Sequence, residues 1–323
     1  MINSLIKTQQ ELKIISGLPE VQEDCQIIWL EINAPTVEEA ALLLSRFGID
    51  IASQHSNIIE IDCLLYMRTN LLMRDQHATP HFGQVTFILG DQWVATLSQQ
   101  ADFHPFNHVI SRLRKKTGST RNPRAVLRFL LQAANDAADS SIDQITDALE
   151  RMSDNIFEIS EGHSIDGREL GVQDLLKIMR RLNEKEKLIS RCLESQLSLA
   201  RVVRYLSSEV DNLKEPELQE LVNELAADVA GVKEHAYFEH EKVRYLQNAV
   251  TNILNIKQNQ IVKIFTIITA VFLPPTLVGT FYGMNFSVMP ELSWKYGFIY
   301  SMILTIAAAL LPLIYIKRKG WLR

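Results

Sequence analysis

Hydrophobic and polar positions divide this chain into three regimes. Up to about residue 104 the apolar residues come in short runs bounded by turn residues. Ile27–Ile32, Ile58–Met67 and Gln84–Leu97 read as strands, the last folded back at Gly90-Asp91. Between the first two, Thr36 opens a helix as its N-cap, Glu39 closes a capping box and Gly48 suits the end. The strand signals then stop. From Arg124 to Ile159 neither Pro nor Gly occurs, and Ile142, Ile145, Leu149, Met152, Ile156 and Ile159 recur three and four apart. That spacing predicts a helix, roughly 54 Å long at ~1.5 Å per residue. Gly162–Gly171 predicts a tip, and a return helix follows to about Leu206. A further helix is predicted from Pro216. Its seam is Leu218, Val222, Leu225, Val229, Val232, Ala236, Glu239, Val243, Leu246, Val250 and Ile253, apolar except at Glu239. Alternating steps of four and three define a coiled-coil-like stalk packed on other helices. No Pro or Gly cluster stops it, so a helix reaching Tyr282 would span on the order of 100 Å.

The third regime is uncharged. Ile264–Pro290 and Tyr296–Ile316 hold no Asp, Glu, Lys or Arg. A bilayer core of about 30 Å needs ~20 helical residues, and Ile264–Tyr282 and Gly297–Ile316 each meet that length. Lys257 and Lys263 flank the first span, and Lys317-Arg318-Lys319 follows the second. By the positive-inside rule both termini are cytoplasmic and the connecting loop is outside. Trp294, Tyr296 and Trp321 stand where interfacial anchors are expected. The first ten residues lack the apolar core of a signal peptide.

Charge sharpens this division. The chain has 323 residues, 33 basic and 38 acidic, a formal charge of -5 and a mean hydropathy of zero. From Lys257 onward seven basic residues meet one acid, Glu291, giving +6; the preceding residues hold 26 basic and 37 acidic, giving -11. A polar, acidic body is joined to a greasy, basic end. The acidic balance argues against a nucleic-acid partner. Cys25, Cys63 and Cys192 match no zinc or redox spacing and exclude a disulfide scaffold. Gly162-His-Ser-Ile-Asp-Gly-Arg168 lacks the Lys and Ser/Thr of a phosphate loop. The eight histidines lie at or before His240 and form no visible ligand cluster. No catalytic constellation appears, so the chain is not expected to be an enzyme. A second stripe on the Arg124–Ile159 helix (Asp136, Asp139, Asp143, Asp147, Glu150, Asp154, Glu158, continued by Glu161) is either a solvated face or a surface that concentrates divalent cations.

The first span carries its own pattern. Asn259, Val262, Thr266, Thr269, Leu273, Thr276 and Thr280 step by three and four, and five of the seven are Asn or Thr. Polar residues within a span face a bundle interior or a water-filled cavity, although small polar residues also make helix-contact seams. Two helices per chain cannot enclose a pore, so a pore would require a ring of chains. Pro274-Pro275 interrupts the backbone hydrogen bonds in mid-span.

The span ends in Tyr282-Gly283-Met284-Asn285-Phe286, followed by Met289-Pro290-Glu291-Leu292. Gly-Met-Asn at this position, in a two-span C-terminal hairpin, resembles the CorA family of magnesium channels. The likeness extends back through Phe272–Thr276 to Asn259 and forward to the basic, Trp-containing tail, about 65 residues in all. The resemblance implies a funnel-shaped homopentamer with an α+β cytoplasmic domain, a stalk helix and a two-helix hairpin. The corresponding segments are 1–120 (α/β), 121–215 (antiparallel helical pair), 216–260 (stalk) and 261–323 (hairpin, spans about 261–282 and 297–316). It makes Gly283, Met284 and Asn285 the selectivity motif, with an Asn285 ring at the outer mouth. It places Asn259, Val262, Phe265, Leu273 and Thr276 on the pore, Val262 and Phe265 forming the inner girdle. Glu291 in the outer loop would attract cations. Phe265 lies one residue off the polar stripe, so either the stripe drifts or Thr266 faces a neighbouring helix. Mg²⁺ sheds water reluctantly, and amide oxygens can accept hydrogen bonds from a hydrated ion's waters.

The resemblance further implies influx of Mg²⁺, with Co²⁺ and Ni²⁺ as additional candidate ions, across the bacterial inner membrane. The partners are divalent cations, other copies of the chain and membrane lipid, with no nucleic acid. Gating would come from cytoplasmic Mg²⁺ bridging acids between subunits. Five bodies at -11 repel one another, and bound Mg²⁺ would relieve that repulsion. Glu224 and Asp228, one turn apart on the stalk, are candidate regulatory ligands, against the alternative of solvated stalk charges. Two rival functions are a zinc transporter on the same scaffold, which Met284 and Met289-Pro290-Glu291 disfavour, and a pore-less membrane-anchored coiled-coil sensor, which leaves the mouth motif unexplained.

Overall fold

The computed structural model describes residues 2–7, 12–18, 26–51, 58–74, 80–100, 106, 109, 123–160, 171–285 and 289–320. Most of the Gly162–Gly171 tip, Cys25 and Trp321 fall outside the described residues. The chain divides into two compact units, one holding residues 1–161 and 177–247, the other 162–176 and 248–323.

In the first unit a seven-stranded mixed sheet is built from β1 (Ile2–Lys7), β2 (Leu12–Ser16), β3 (Gln26–Asn33), β4 (Ile58–Ile61), β5 (Leu64–Arg74), β6 (Pro80–Leu89) and β7 (Val94–Ser98). The order is β2-β1-β3-β7-β6-β5-β4. Every neighbouring pair is antiparallel except β3 with β7, which runs parallel with Trp29 opposite Val94 and Asn33 opposite Ser98. The hairpin expected over Gln84–Leu97 is β6–β7, and it turns at Gly90. β3 and β7 sit at the centre and are covered on both faces, so both read as nearly unbroken apolar or buried runs. The hydrophobic pattern does not predict β1 and β2. They pair across Asn3–Lys7 and Leu12–Ser16, and β1 also joins β3, with a register shift between Leu5 and Ile6.

One sheet face packs Ile2, Leu30, Ile32, Tyr66, Ile88 and Leu97 against Leu43 of α1 (Val37–Phe47). The capping box on α1 is present: Glu39 N–H donates to Thr36 Oγ1 at 3.2 Å and Thr36 N–H to Glu39 Oε2 at 2.8 Å. Gly48 ends the helix at φ 70°, a left-handed conformation that costs glycine little. The opposite face buries Trp29, Phe87 and Met67 against three long helices. These are α2 (Pro123–Ser160), α3 (Val172–Leu213) and α4 (Pro216–Tyr282). Trp29 Nε1 donates to Thr96 Oγ1 at 3.0 Å in this core. The α4 seam from Leu218 to Val250 is buried at each step, Glu239 included. α3 runs past the expected Leu206 to Leu213 because Val210 still finds the core.

In the second unit α4 continues without a break to Tyr282, with Pro274 and Pro275 inside it. A short 3₁₀ turn (Pro290–Ser293) follows, and then α5 (Gly297–Arg318).

Candidate functional site

The C-terminal part of α4 presents its polar stripe and its apolar residues alike to the outside of the single chain. Asn259, Val262, Phe265, Thr266, Thr269, Leu273, Thr276 and Thr280 are all exposed. None of the most apolar 18-residue window of α4 is buried, and 6% of that of α5 is. Phe265, Phe272 and Leu273 are each about two-thirds exposed, at 66%, 66% and 65%. An apolar surface this extensive needs lipid or another protein against it. The four threonines each donate back to the carbonyl four residues earlier: Thr266 to Val262, Thr269 to Phe265, Thr276 to Phe272 and Thr280 to Thr276, at 2.7–2.8 Å. Their protons are thus occupied within the helix, and what the stripe offers outward is hydroxyl oxygen, an acceptor.

At the end of α4 the backbone closes on itself. Gly283 N–H donates to Gly279 O at 3.0 Å and to Thr280 O at 3.2 Å, and Met284 N–H to Phe281 O at 3.3 Å. Those bonds satisfy the Gly279, Thr280 and Phe281 carbonyls at the helix end from the backbone, without the exposed Asn285 side chain. Gly283 does not adopt a left-handed φ. The constraint there is contact, because a Cβ would lie 3.2 Å from the Gly279 carbonyl oxygen. In the loop beyond, Glu291 is exposed. Its carbonyl accepts from Trp294 N–H at 3.3 Å, and Trp294 O accepts from Gly297 N–H at 3.0 Å. The Trp294 and Tyr300 rings pack at 5.8 Å.

A separate group of charges lies in the first unit. Glu224 and Asp228 are exposed on α4. Asp228 meets α2 through Gln132, whose Nε2 lies 3.4 Å from Asp228 Oδ2 and 2.9 Å from Asp136 Oδ1. One to two turns further on, Asp139 and Asp143 of α2 meet His235 of α4, with one donor atom from each within 4.8 Å of the others. The sequence showed no histidine cluster; helix pairing creates this one between residues more than 90 positions apart. The acidic stripe was visible beforehand, but which α4 residue faced it was not. Desolvation raises the Asp139 carboxyl above its ordinary value, with Asp143, Asp136 and Asp228 adding to the rise and His235 opposing it. Cys192 is buried against the Ala138 carbonyl, and burial pushes its thiol up to about 12, so it is chemically inert.

Similar proteins were found by sequence and by structure. "Magnesium transport protein CorA" of Haemophilus influenzae is 28% identical over 304 residues, covering 91% of this chain and 92% of that protein. The protein of the same name from Escherichia coli K12 is 28% identical over 314 residues, covering 94% of each. The complete structure of the CorA magnesium transporter from Methanocaldococcus jannaschii superposes with a TM-score of 0.74 at 18% identity, covering 99% of both chains. That likeness fixes the fold: a mixed sheet with long helices and two C-terminal apolar helices. Residues 24–318 match the sequence profile of the CorA-like Mg2+ transporter protein family. With the profile running from β3 to the last turn of α5, the chain belongs to that family.

Proposed function

We propose that this protein is a homopentameric channel for Mg²⁺ influx through the bacterial inner membrane, with both termini cytoplasmic. Membership of the family makes it a membrane ion transporter and not an enzyme. The observation that carries the magnesium reading is the match, over more than nine-tenths of both chains, to proteins named for magnesium transport. In this reading five copies of α4 line one path, and their exposed apolar faces are covered by α5 helices and lipid. Asn285 offers amide oxygens to the waters of a hydrated ion at the mouth, where a carboxylate would hold the dication longer. Gly283 and Met284 set that ring in place, and Glu291 draws cations towards it. Thr276 and Asn259 supply polar surface inside. Leu273, and below it Val262 and Phe265, form apolar constrictions that dewet when narrow.

The same reading makes transport downhill. A dication moving inward gains about 4.6 kcal/mol per 100 mV, at about 2.3 per charge. Cytoplasmic Mg²⁺ closes the path by bridging acids between subunits, with Glu224 and Asp228 as candidate ligands; Co²⁺ and Ni²⁺ are further candidate cargo. The test is Asn285→Ala in proteoliposomes. Mg²⁺ flux is expected to vanish while the oligomer keeps its mass by light scattering. Undiminished, selective flux would remove Asn285 from the path. A divalent series run in vesicles holding the wild-type protein decides between magnesium and zinc as the preferred ion.

A further inference from the structure

We propose that Asp139, Asp143 and His235, backed by Glu239, form an intrachain site for a borderline transition-metal dication of the Co²⁺, Ni²⁺ or Zn²⁺ class, joining α2 to α4. Asp139 and Asp143, an i,i+4 pair on α2, meet His235 on α4, and Glu239, four residues after His235, lies against the imidazole. Residues four apart share a helix face, so α2 supplies two carboxylates and α4 an imidazole with a carboxylate beside it. The donor atoms of the first three lie within 4.8 Å of one another. Zinc-type ions hold nitrogen and oxygen at about 2.0–2.2 Å. Asp143 is exposed and free to swing inward, while Asp139 and His235 are half-buried.

Glu239 is the independent observation. Its side chain is 1% exposed, and its Oε2 has no hydrogen-bond partner. It stands at a seam position whose neighbours along α4 are Ala236 and Val243, both buried. A buried, half-satisfied carboxylate is costly and is not what the seam requires for packing. Its Oε1 lies 3.9 Å from His235 Nε2, and Thr146 Oγ1 is 3.3 Å from the same nitrogen. A ligating imidazole orients itself by giving its second N–H to a carboxylate or hydroxyl. Glu239 and Thr146 are the groups that would do so, and a dication on the ring gives the Glu239 charge a partner. Asp136 and Asp228 add negative field around Asp139.

The donor set selects the ion. Imidazole with carboxylates suits Zn²⁺, Co²⁺ and Ni²⁺, whereas Mg²⁺ prefers oxygen ligands and keeps its waters. The site would thus report transition metals independently of magnesium, by tying α2 to α4 within one chain.

The test uses the full-length protein in detergent, with Co²⁺ as the probe, read by equilibrium dialysis and by its visible absorption. The wild-type chain is expected to hold a Co²⁺ whose absorption bands shift from those of the aqueous ion and which Zn²⁺ displaces. His235→Ala should lose that ion and its bands. Glu239→Gln should weaken it by roughly 10–100-fold, the usual cost of removing an outer-shell partner. Mg²⁺ in large excess should leave the bands in place. Unchanged Co²⁺ affinity and spectrum in His235→Ala would overturn the site, as would displacement of Co²⁺ by equimolar Mg²⁺. If His235→Ala fails to fold, Asp143→Asn, an exposed change, serves instead. A Co²⁺ spectrum and affinity identical to wild type in that variant overturns the proposal equally.

Discussion

Gly297 admits no side chain. A Cβ built there lands on the carbonyl oxygen of Glu291 and lies 3.3 Å from its carbon. The neighbour is backbone, held by the Trp294 N–H to Glu291 O bond, so it cannot swing aside. Gly297→Ala is therefore expected to separate the Pro290–Ser293 turn from the start of α5 and to cost at least the ~1–3 kcal/mol of an overpacked site. Gly231, with nothing within 4 Å of its Cβ position, is the control. Gly231→Ala should be neutral or stabilise α4 by up to about 1 kcal/mol, since glycine is a poor helix residue. Thermal unfolding in detergent compares the two, and equal melting temperatures would remove the constraint at Gly297. The Met289-Pro290-Glu291-Leu292 stretch was recognisable in the sequence. The reason a glycine follows it was not, because the clash partner lies six residues away across a turn.

At the scale of elements, the α4 seam decides how the three long helices hold together. Leu225 is fully buried in the cluster that also contains Leu206, Val210 and Leu130. Leu225→Ala leaves a cavity in a helix interface and should cost about 2–5 kcal/mol, read as a lower denaturant midpoint with an unchanged slope. A loss under about 0.5 kcal/mol, the scale of a surface change, would mean that α4 is not packed as described. This seam was legible in the sequence because a period near 3.5 is a local property of the chain. The helix α1 was legible for the same reason, its Thr36–Glu39 box and Gly48 end being read from neighbouring residues. β1 and β2 are not legible in the sequence. Ile2–Lys7 and Leu12–Ser16 mix polar and apolar residues without a decisive period, and they are strands because β3 offers β1 an edge to pair with.

For the whole molecule, the division of charge carries the functional consequence. In the proposed channel, an acidic body of -11 and a basic C-terminal part of +6 would orient the chain in the membrane, and the acidic bodies would repel one another in a ring. If transport is driven by potential alone, vesicles clamped by a K⁺ gradient and ionophore should load Mg²⁺ to a ratio whose logarithm rises in proportion to the imposed voltage. At 100 mV, inside negative, accumulation should approach about three decades, from about 4.6 kcal/mol at 1.4 kcal/mol per decade. Uptake that ignores the voltage, or needs ATP, would contradict the downhill mechanism.

The sequence by itself determined the two apolar C-terminal helices, the seam, the capped helix and the place of the Gly283-Met284-Asn285 motif at the end of the first of them, because each is written in residues close along the chain. Span length, helical period, capping and charge asymmetry are all local or additive quantities. The tertiary structure alone decided the parallel joining of β3 to β7, the constraint at Gly297 and the meeting of His235 with Asp139 and Asp143. Each of these depends on which distant backbone packs beside which. Periodicity fixes the face a residue occupies; only the packing of α2 against α4 settles that the acidic face of one meets the His235 imidazole of the other, next to the buried carboxylate of Glu239.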